Sequence, residues 1–463
     1  MLSAMRPARP RTEPVPWSRL RAGFGAAVLF ACMALASCRH GRAVTVAPLG
    51  PGSAAGPFRA IFSDFRQAFH CLDFSGVSEE SLDPERRRLM QGAQRIMAGD
   101  LAGAEAMYRA LALAADDAWV KIQATDILAQ LFLYQSKWSS LREMVAPGAE
   151  GGMDLPLGEM SRAAAENYRF PEQAVMLPLE LSASGTPLIP LQVNGRRTTF
   201  WLDTGSGFTV LPSDLAERFG VAAIGAARGR ATTLASKRVA TRMTILESLR
   251  IGELEIHHHP ALIVQKRDLL IRMPGLFSRR RITKVTAVKG ILGWNALKNL
   301  VLSVDYRQRR LRIAGPEKRS GAEGNLFWLG YPILVCRSLD GARLHFGLDS
   351  GARHSVVLPS LFAKIKAGSV YAVRLKVWGA GGEAKVKTHV LSRLQIIVSG
   401  HRFEFKDIAV LPQEPFGLTR LDGILGNDFL RSCASFTIDL PNGTFVAAGP
   451  SSSVQGAAAA GGN

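Results

Sequence analysis

The chain has little cysteine, few long apolar runs and a shortage of acid. Five cysteines in 463 residues are too scattered for a disulfide framework, and none stands at zinc-ligand spacing. Beyond Cys32 and Cys38, only Cys71, Cys336 and Cys433 remain, so at most one disulfide could form. Cys336 and Cys433 lie in apolar, strand-like runs, where a thiol serves as a small buried hydrophobe. The apolar stretch from Ala22 to Ala36 is too short for a comfortable membrane span. The 38 acidic residues are outnumbered by 57 basic ones, a formal net charge of +19. Such an excess favours anionic surfaces. It is spread along the chain, however, and is densest at Arg279-Arg280-Arg281 with Lys284 and Lys289. No nucleic-acid module is evident, so the charge reads as a solvated surface with no nucleic-acid partner. Apolar residues make up 47% of the chain, which excludes global disorder. The length suggests about three domains.

The N-terminus carries a targeting pattern. Arg6, Arg9, Arg11, Arg19 and Arg21 lead into the short apolar stretch, which ends in Leu35-Ala36-Ser37-Cys38. A basic lead, a short apolar core and small residues before a cut form a secretory signal. Cys38 after Leu-Ala-Ser resembles the bacterial lipobox. The resemblance implies a signal peptide over 1–37, lipidation of the Cys38 thiol and attachment to a membrane through it. Residue 39 is Arg rather than Asp. By resemblance to Gram-negative lipoprotein sorting, this implies the outer membrane, with the protein on the periplasmic face of the cell envelope.

Residues 38–57, rich in Gly, Ala and Pro, read as a flexible tether. Residues 58–146 are helical by period. Asp83-Pro84 is a helix start, since Asp caps free amides and Pro fits the first turn. Leu89, Ala93, Ile96 and Met97 share one face, Gly99-Asp100 breaks the run, and Ala104, Met107, Tyr108 and Leu111 resume it. Further helices are expected near Trp119 to Tyr134 and around Trp138 and Leu141. The stretch from Gln91 to Leu113 resembles a tetratricopeptide hairpin, which implies a surface for a protein partner. A generic helical bundle packed on the next domain fits the same pattern. Residues 147–174 read as a linker. From Val175 the period becomes strand-like, with Gly, Asn and Asp turns.

The decisive feature is an internal duplication. Leu191-Gln-Val-Asn-Gly-Arg-Arg-Thr-Thr-Phe-Trp-Leu-Asp-Thr-Gly205 aligns with Arg337-Ser-Leu-Asp-Gly-Ala-Arg-Leu-His-Phe-Gly-Leu-Asp-Ser-Gly351, so that Asp203 meets Asp349. Asx-Gly in each copy marks a hairpin turn. Each copy continues to Leu-Pro-Ser, at Leu211 and Leu358. Each has a later Gly-Ile-Leu-Gly, at 290–293 and 423–426, and then a strand ending in Asp305 or Asp439. The first copy is longer by a basic loop around Leu276 to Lys289. Asp-Thr/Ser-Gly after an apolar strand, with a distal Gly-Ile-Leu-Gly, resembles the retropepsin/pepsin superfamily. Both copies are similar to the bacterial gag-polyprotein-like aspartyl protease family, as is the glycine-rich Val377-Trp-Gly-Ala-Gly-Gly382. The resemblance covers roughly 175–448.

The resemblance implies an α+β multidomain chain. A tetratricopeptide-like α-helical module would be followed by two retropepsin-like all-β lobes over 175–315 and 326–448, joined by a linker over 316–325. A disordered tail would follow over 449–463. Each lobe would supply one aspartate, so a single chain would act as a monomeric pseudo-dimer. Asp203 and Asp349 would share one proton and activate a water against a polypeptide substrate. Gly205 and Gly351 would let the backbone donate amides, and Thr204 and Ser350 would brace the loops. Hairpins near Arg228 to Ser236 and Trp378 to Glu383 would close on an extended peptide. Arg353 would favour an ionised Asp349 if it pointed inward.

Other features read more plainly. Asp305 and Asp439 read as turn formers, and Trp201 and Trp378 as core or cleft-wall aromatics. In His257-His258-His259 only the first and third could share a strand face, and no carboxylate pair accompanies them, so no metal or cofactor is expected. Two rival functions fit the same residues. One is a catalytically inactive double barrel that binds peptides or partner proteins in the envelope. The other is a scaffold lipoprotein recruiting partners through its helices.

Overall fold

The computed structural model describes residues 29–30, 34–35, 44–49, 56–144, 155–225, 229–233, 238–274, 283–317, 324–366, 368–379, 382–411 and 419–449. The lipidation candidate Cys38, the basic Arg279-Arg280-Arg281 loop and the tail beyond 449 lie outside the described residues.

Helices come first: α1 (Phe65–His70), α2 (Pro84–Met97), α3 (Leu101–Ala114), α4 (Ala118–Tyr134) and α5 (Trp138–Met144). Their starts follow local chemistry. Asp83 accepts from the amides of Glu85 and Arg86 with Pro84 in the first turn, Asp100 from Gly103, and Asp117 from Trp119 and Val120. Gly99, at φ +80°, turns the chain between α2 and α3. The buried Tyr108 ring lies against Gly92, which lets α3 approach α2 closely. Helix α4 is buried almost all round because it lies between the other helices and the β-structure. At its end Tyr134 stacks on Trp328, centroids 4.3 Å apart.

Each lobe is then wired in the same way. In lobe 1, β1 (Pro187–Val193) and β2 (Arg196–Leu202) form the Asn-Gly hairpin, followed by β3 (Thr209–Pro212), β4 (Arg238–Ile251), β5 (Leu254–Val264) and β6 (Ile291–Leu292). The short β6 runs parallel to β2 and antiparallel to β3. After β7 (Val301–Asp305) and β8 (Arg310–Ala314), lobe 2 repeats the plan. There β9 (Pro332–Ser338) and β10 (Arg343–Leu348) form the hairpin, and β11 (Val356–Val357), β12 (Gly382–Val398), β13 (His401–Val410) and β14 (Gly423–Leu425) follow. Strand β14 is parallel to β10 and antiparallel to β11. The chain ends on β15 (Ser435–Asp439) and β16 (Thr444–Ala448). Strand β7 pairs with β15, so one sheet is shared by both lobes and fixes their relation. This is the α+β architecture expected, with helices followed by two retropepsin-like lobes.

Some segments depart from the sequence reading. The stretch read as a linker over 147–174 contains a helix, Leu157–Met160, and a strand, Asn167–Arg169, that pairs with β5. Within the range read as a tether, Thr45–Pro48 pairs with β13. In each case a free sheet edge satisfies the amides and carbonyls of an otherwise unpatterned segment. His258, at φ +52°, interrupts the pairing of β5 with β4 without shifting its register. The alternation expected of the three histidines fails there. His257 meets Glu255, while His259 is fully buried and bonds Glu166 and Thr209. Asp305 and Asp439 accept amides from the turns that follow them.

Candidate active site

The two hairpins deliver Asp203 and Asp349 to loops that interlock. Thr204 Oγ1 donates to the Leu348 carbonyl at 2.8 Å, and Ser350 Oγ donates to the Leu202 carbonyl at 2.7 Å. In return the Ser350 amide donates to Thr204 Oγ1 at 2.9 Å, and the Thr204 amide to Ser350 Oγ at 3.1 Å. Each hydroxyl thus reaches across the pseudo-twofold axis, receiving one amide and satisfying one carbonyl. The distal strands anchor the same loops from below: Asp203 N donates to Leu292 O and Asp349 N to Leu425 O.

The loops hold the carboxylates in turn. Gly205 N donates to Asp203 Oδ1 at 2.9 Å, and Gly351 N and Ala352 N donate to Asp349 Oδ1 at 2.8 and 2.9 Å. Gly351 has a second reason to be glycine. A Cβ there would stand 2.4 Å from the Asp203 carboxyl carbon. The Asp203 carboxyl therefore lies against the opposite lobe's loop, and the two acids are brought together.

Both side chains have 0% exposure. Burial, and then the charge of Asp349, push Asp203 well above the usual carboxylate range. Burial raises Asp349 to about 7, opposed by donors at Ala352, Tyr331 and Gly351. Two acids in this setting hold one proton between them over a range of pH.

The structure gathers Asp203, Thr204, Gly205, Asp349, Ser350 and Gly351 into one site, all buried. Arg353 is half-buried and does not figure among the groups that chiefly set the Asp349 charge. Tyr331, which no motif singles out, does. Its sequence signal is faint: a glycine, Gly347, stands where lobe 1 has Trp201, leaving room for a ring. A second unforeseen group is Glu166, buried between His259 at 2.6 Å and Lys298 at 2.8 Å. A cavity of about 680 Å³ lies elsewhere, between the helices and the lobes, lined by residues including Tyr134, Trp138, Lys298 and Trp328 and by neither aspartate.

The sequence profile of the aspartyl protease family matches residues 189–296 and 337–429. No curated protein matches. Among solved structures the chain is similar to a retropepsin-like aspartic protease from Rickettsia conorii, at 15% identity over 33% of this chain and 95% of that one, TM-score 0.20. It is also similar to an aspartic proteinase from Irpex lacteus, at 13% identity over 61% of this chain and 99% of that one, TM-score 0.34. Over its two duplicated lobes, the chain is similar to the aspartyl protease family, whose profile matches each lobe in turn.

Proposed function

We propose that the protein is an aspartic-type endopeptidase in which Asp203 and Asp349 act as one catalytic pair. The observation that carries this reading is the reciprocal Thr204–Ser350 lock, which holds two buried carboxyls against each other from opposite lobes. In the reaction, the ionised carboxylate takes a proton from water while the water oxygen attacks the scissile carbonyl carbon. The protonated partner gives its proton to the carbonyl oxygen. The tetrahedral diol then collapses, the C–N bond breaks, and the leaving nitrogen receives a proton from the pair.

A substrate would bind extended, adding a strand to the hairpins. Support comes from the chain itself. Its N-terminal Leu29–Phe30 pairs with the lobe 1 hairpin strand Gly229–Thr233, and Ala34–Leu35 with the lobe 2 strand Val370–Gly379. We further propose an envelope location with attachment through a lipidated Cys38, supported by the Leu35-Ala36-Ser37-Cys38 pattern. The helical module is proposed to offer a surface to a protein partner. The complete burial of both carboxyls favours the second reading, an inactive double barrel that binds peptides.

The test is cleavage of an unfolded polypeptide across pH 4 to 9, with product termini identified. The unsubstituted protein is expected to cleave. Asp203→Asn and Asp349→Asn are each expected to lose activity by about 10³-fold or more. The absence of cleavage in the unsubstituted protein, or full activity in either variant, would leave the binding reading.

A further inference from the structure

The hairpin leading to Asp349 brings an additional side chain to it. Its register ends with Ile333 opposite Gly347, and the same register continued for two residues sets Tyr331 opposite Asp349. Opposed residues in an antiparallel pair share a face. Gly347, two residues before Asp349, shares it too. That glycine makes the space, since a Cβ on it would stand 2.5 Å from Tyr331 Cε1. The chain reaches this position through Gly330 at φ +73°, and Leu329 N donates to Tyr331 O to close the turn. Tyr331 is 3% exposed.

Lobe 1 lacks this arrangement. There the register ends with Leu188 opposite Trp201, which puts Thr186 opposite Asp203. The Thr186 hydroxyl is engaged with Ser184 Oγ at 3.0 Å, and the position of Gly347 is filled by the indole of Trp201. Lobe 2 therefore offers a phenol where lobe 1 offers the hydroxyl of Thr186, and a glycine where lobe 1 has the indole of Trp201.

We propose that Tyr331 is a positioning residue that breaks the symmetry of the pair: its hydroxyl donates to the Asp349 carboxylate, so that Asp349 is the ionised member and Asp203 carries the shared proton. Under the peptidase reading, Asp349 is then the group that takes the proton from water. The surroundings agree. Burial raises Asp349, and Tyr331 opposes that rise beside the Ala352 and Gly351 amides. Its own hydroxyl is kept protonated, by burial first and then by the charges of Asp349 and Asp203. The ionisable groups near this face include His345, two steps before Gly347 on β10, with Arg343 beyond it, and the Lys364–Asp422 pair, which Asp73 approaches. From α4 the neutral Gln130 lies over Gly330, and Asp126, one helical turn earlier, is that helix's buried acid.

The test uses folding stability, so it reads out whether or not the protein cleaves peptides. Urea unfolding of the full chain is measured at pH 5 and pH 8.5 for Tyr331→Phe, alone and combined with Asp349→Asn. A hydrogen bond to a charged acceptor is stronger than one to a neutral acceptor by about a factor of ten in equilibrium constant. The Tyr331→Phe penalty is therefore expected to be about tenfold larger in folding constant at pH 8.5 than at pH 5. That growth should vanish in the Asp349→Asn background. A penalty equal at both pH values, or unchanged by Asp349→Asn, overturns the proposal and leaves Tyr331 as packing alone. Carbon-13 titration of the carboxyls in the unsubstituted protein gives a second readout, with Asp349 expected to ionise before Asp203; the reverse order also overturns it. If peptide cleavage is observed, Tyr331→Phe should move the acid limb of kcat/KM upward by about one pH unit.

Discussion

Lys364 and Asp422 form an ion pair sealed from water, with Nζ 2.8 Å from Oδ2 and neither side chain exposed. Asp422 Oδ2 also accepts the His345 amide at 2.7 Å, so the pair ties lobe 2's hairpin to the segment entering β14. Breaking a buried pair from one side leaves an uncompensated charge. Lys364→Met is predicted to cost about 3–5 kcal/mol in urea unfolding, and Asp422→Leu added to it to recover most of that. A loss under about 1 kcal/mol for the single variant would contradict this. Neither residue stands out in the sequence, because their meeting depends on a fold that joins positions 58 apart. The aspartate loops were legible for the opposite reason. Their chemistry needs the same tripeptide twice, and repetition distinguishes Asp203 and Asp349 from ordinary turn aspartates. Tyr331 falls between these cases, since its position depends only on a hairpin register, yet no motif includes it.

Strand β5 carries a polar chain from the helical side of the molecule to the Asp203 loop. Glu166 bonds His259 Nδ1, His259 Nε2 bonds Thr209 Oγ1 at 2.8 Å, and Asn295 Oδ1 accepts the Thr209 amide at 2.8 Å. Lys298 joins Glu166 to the end of α4 by donating to the Tyr134 carbonyl. Burial opposes ionisation of Glu166, but the His259 hydrogen bond and the Lys298 charge outweigh it and lower the group from 4.5 to about 2. A folded pKa below the unfolded one contributes stability that is present above pH 4.5 and lost as pH falls toward 2. The contribution is of order 3 kcal/mol. Glu166→Gln is predicted to be destabilised at pH 7 and to show a flatter fall in stability between pH 5 and 2. An unchanged acid slope would exclude this role. Sequence reading took the region around Glu166 as a linker and expected the histidines to alternate. The break in pairing at His258, which no local pattern signals, stands directly before the buried His259.

Across the whole molecule, one apolar cluster runs from Phe69, Leu89 and Phe132 of the helices to Trp201, Val210, Tyr331 and Ile424 beside the aspartates. The His70 carbonyl also accepts the Arg420 amide at 2.7 Å, where lobe 2 enters β14. The helices therefore brace the lobes around a pair sealed from water. The order of helices before lobes was readable from the change of period near Val175, and a bundle packed on the next domain was one of the two readings of the helices, but which faces meet was not legible, because apolar faces do not name their partners. The shared sheet of β7 and β15 makes the lobes halves of one chain rather than of two. The most direct measurement of that claim is kcat/KM for peptide cleavage by Asp203→Asn, by Asp349→Asn and by their equimolar mixture, beside the unsubstituted protein. Each variant is predicted to be inactive and the mixture to stay inactive, because every chain completes its own pair. Activity in the unsubstituted protein that returns on mixing would show that the pair forms between chains and contradict the account.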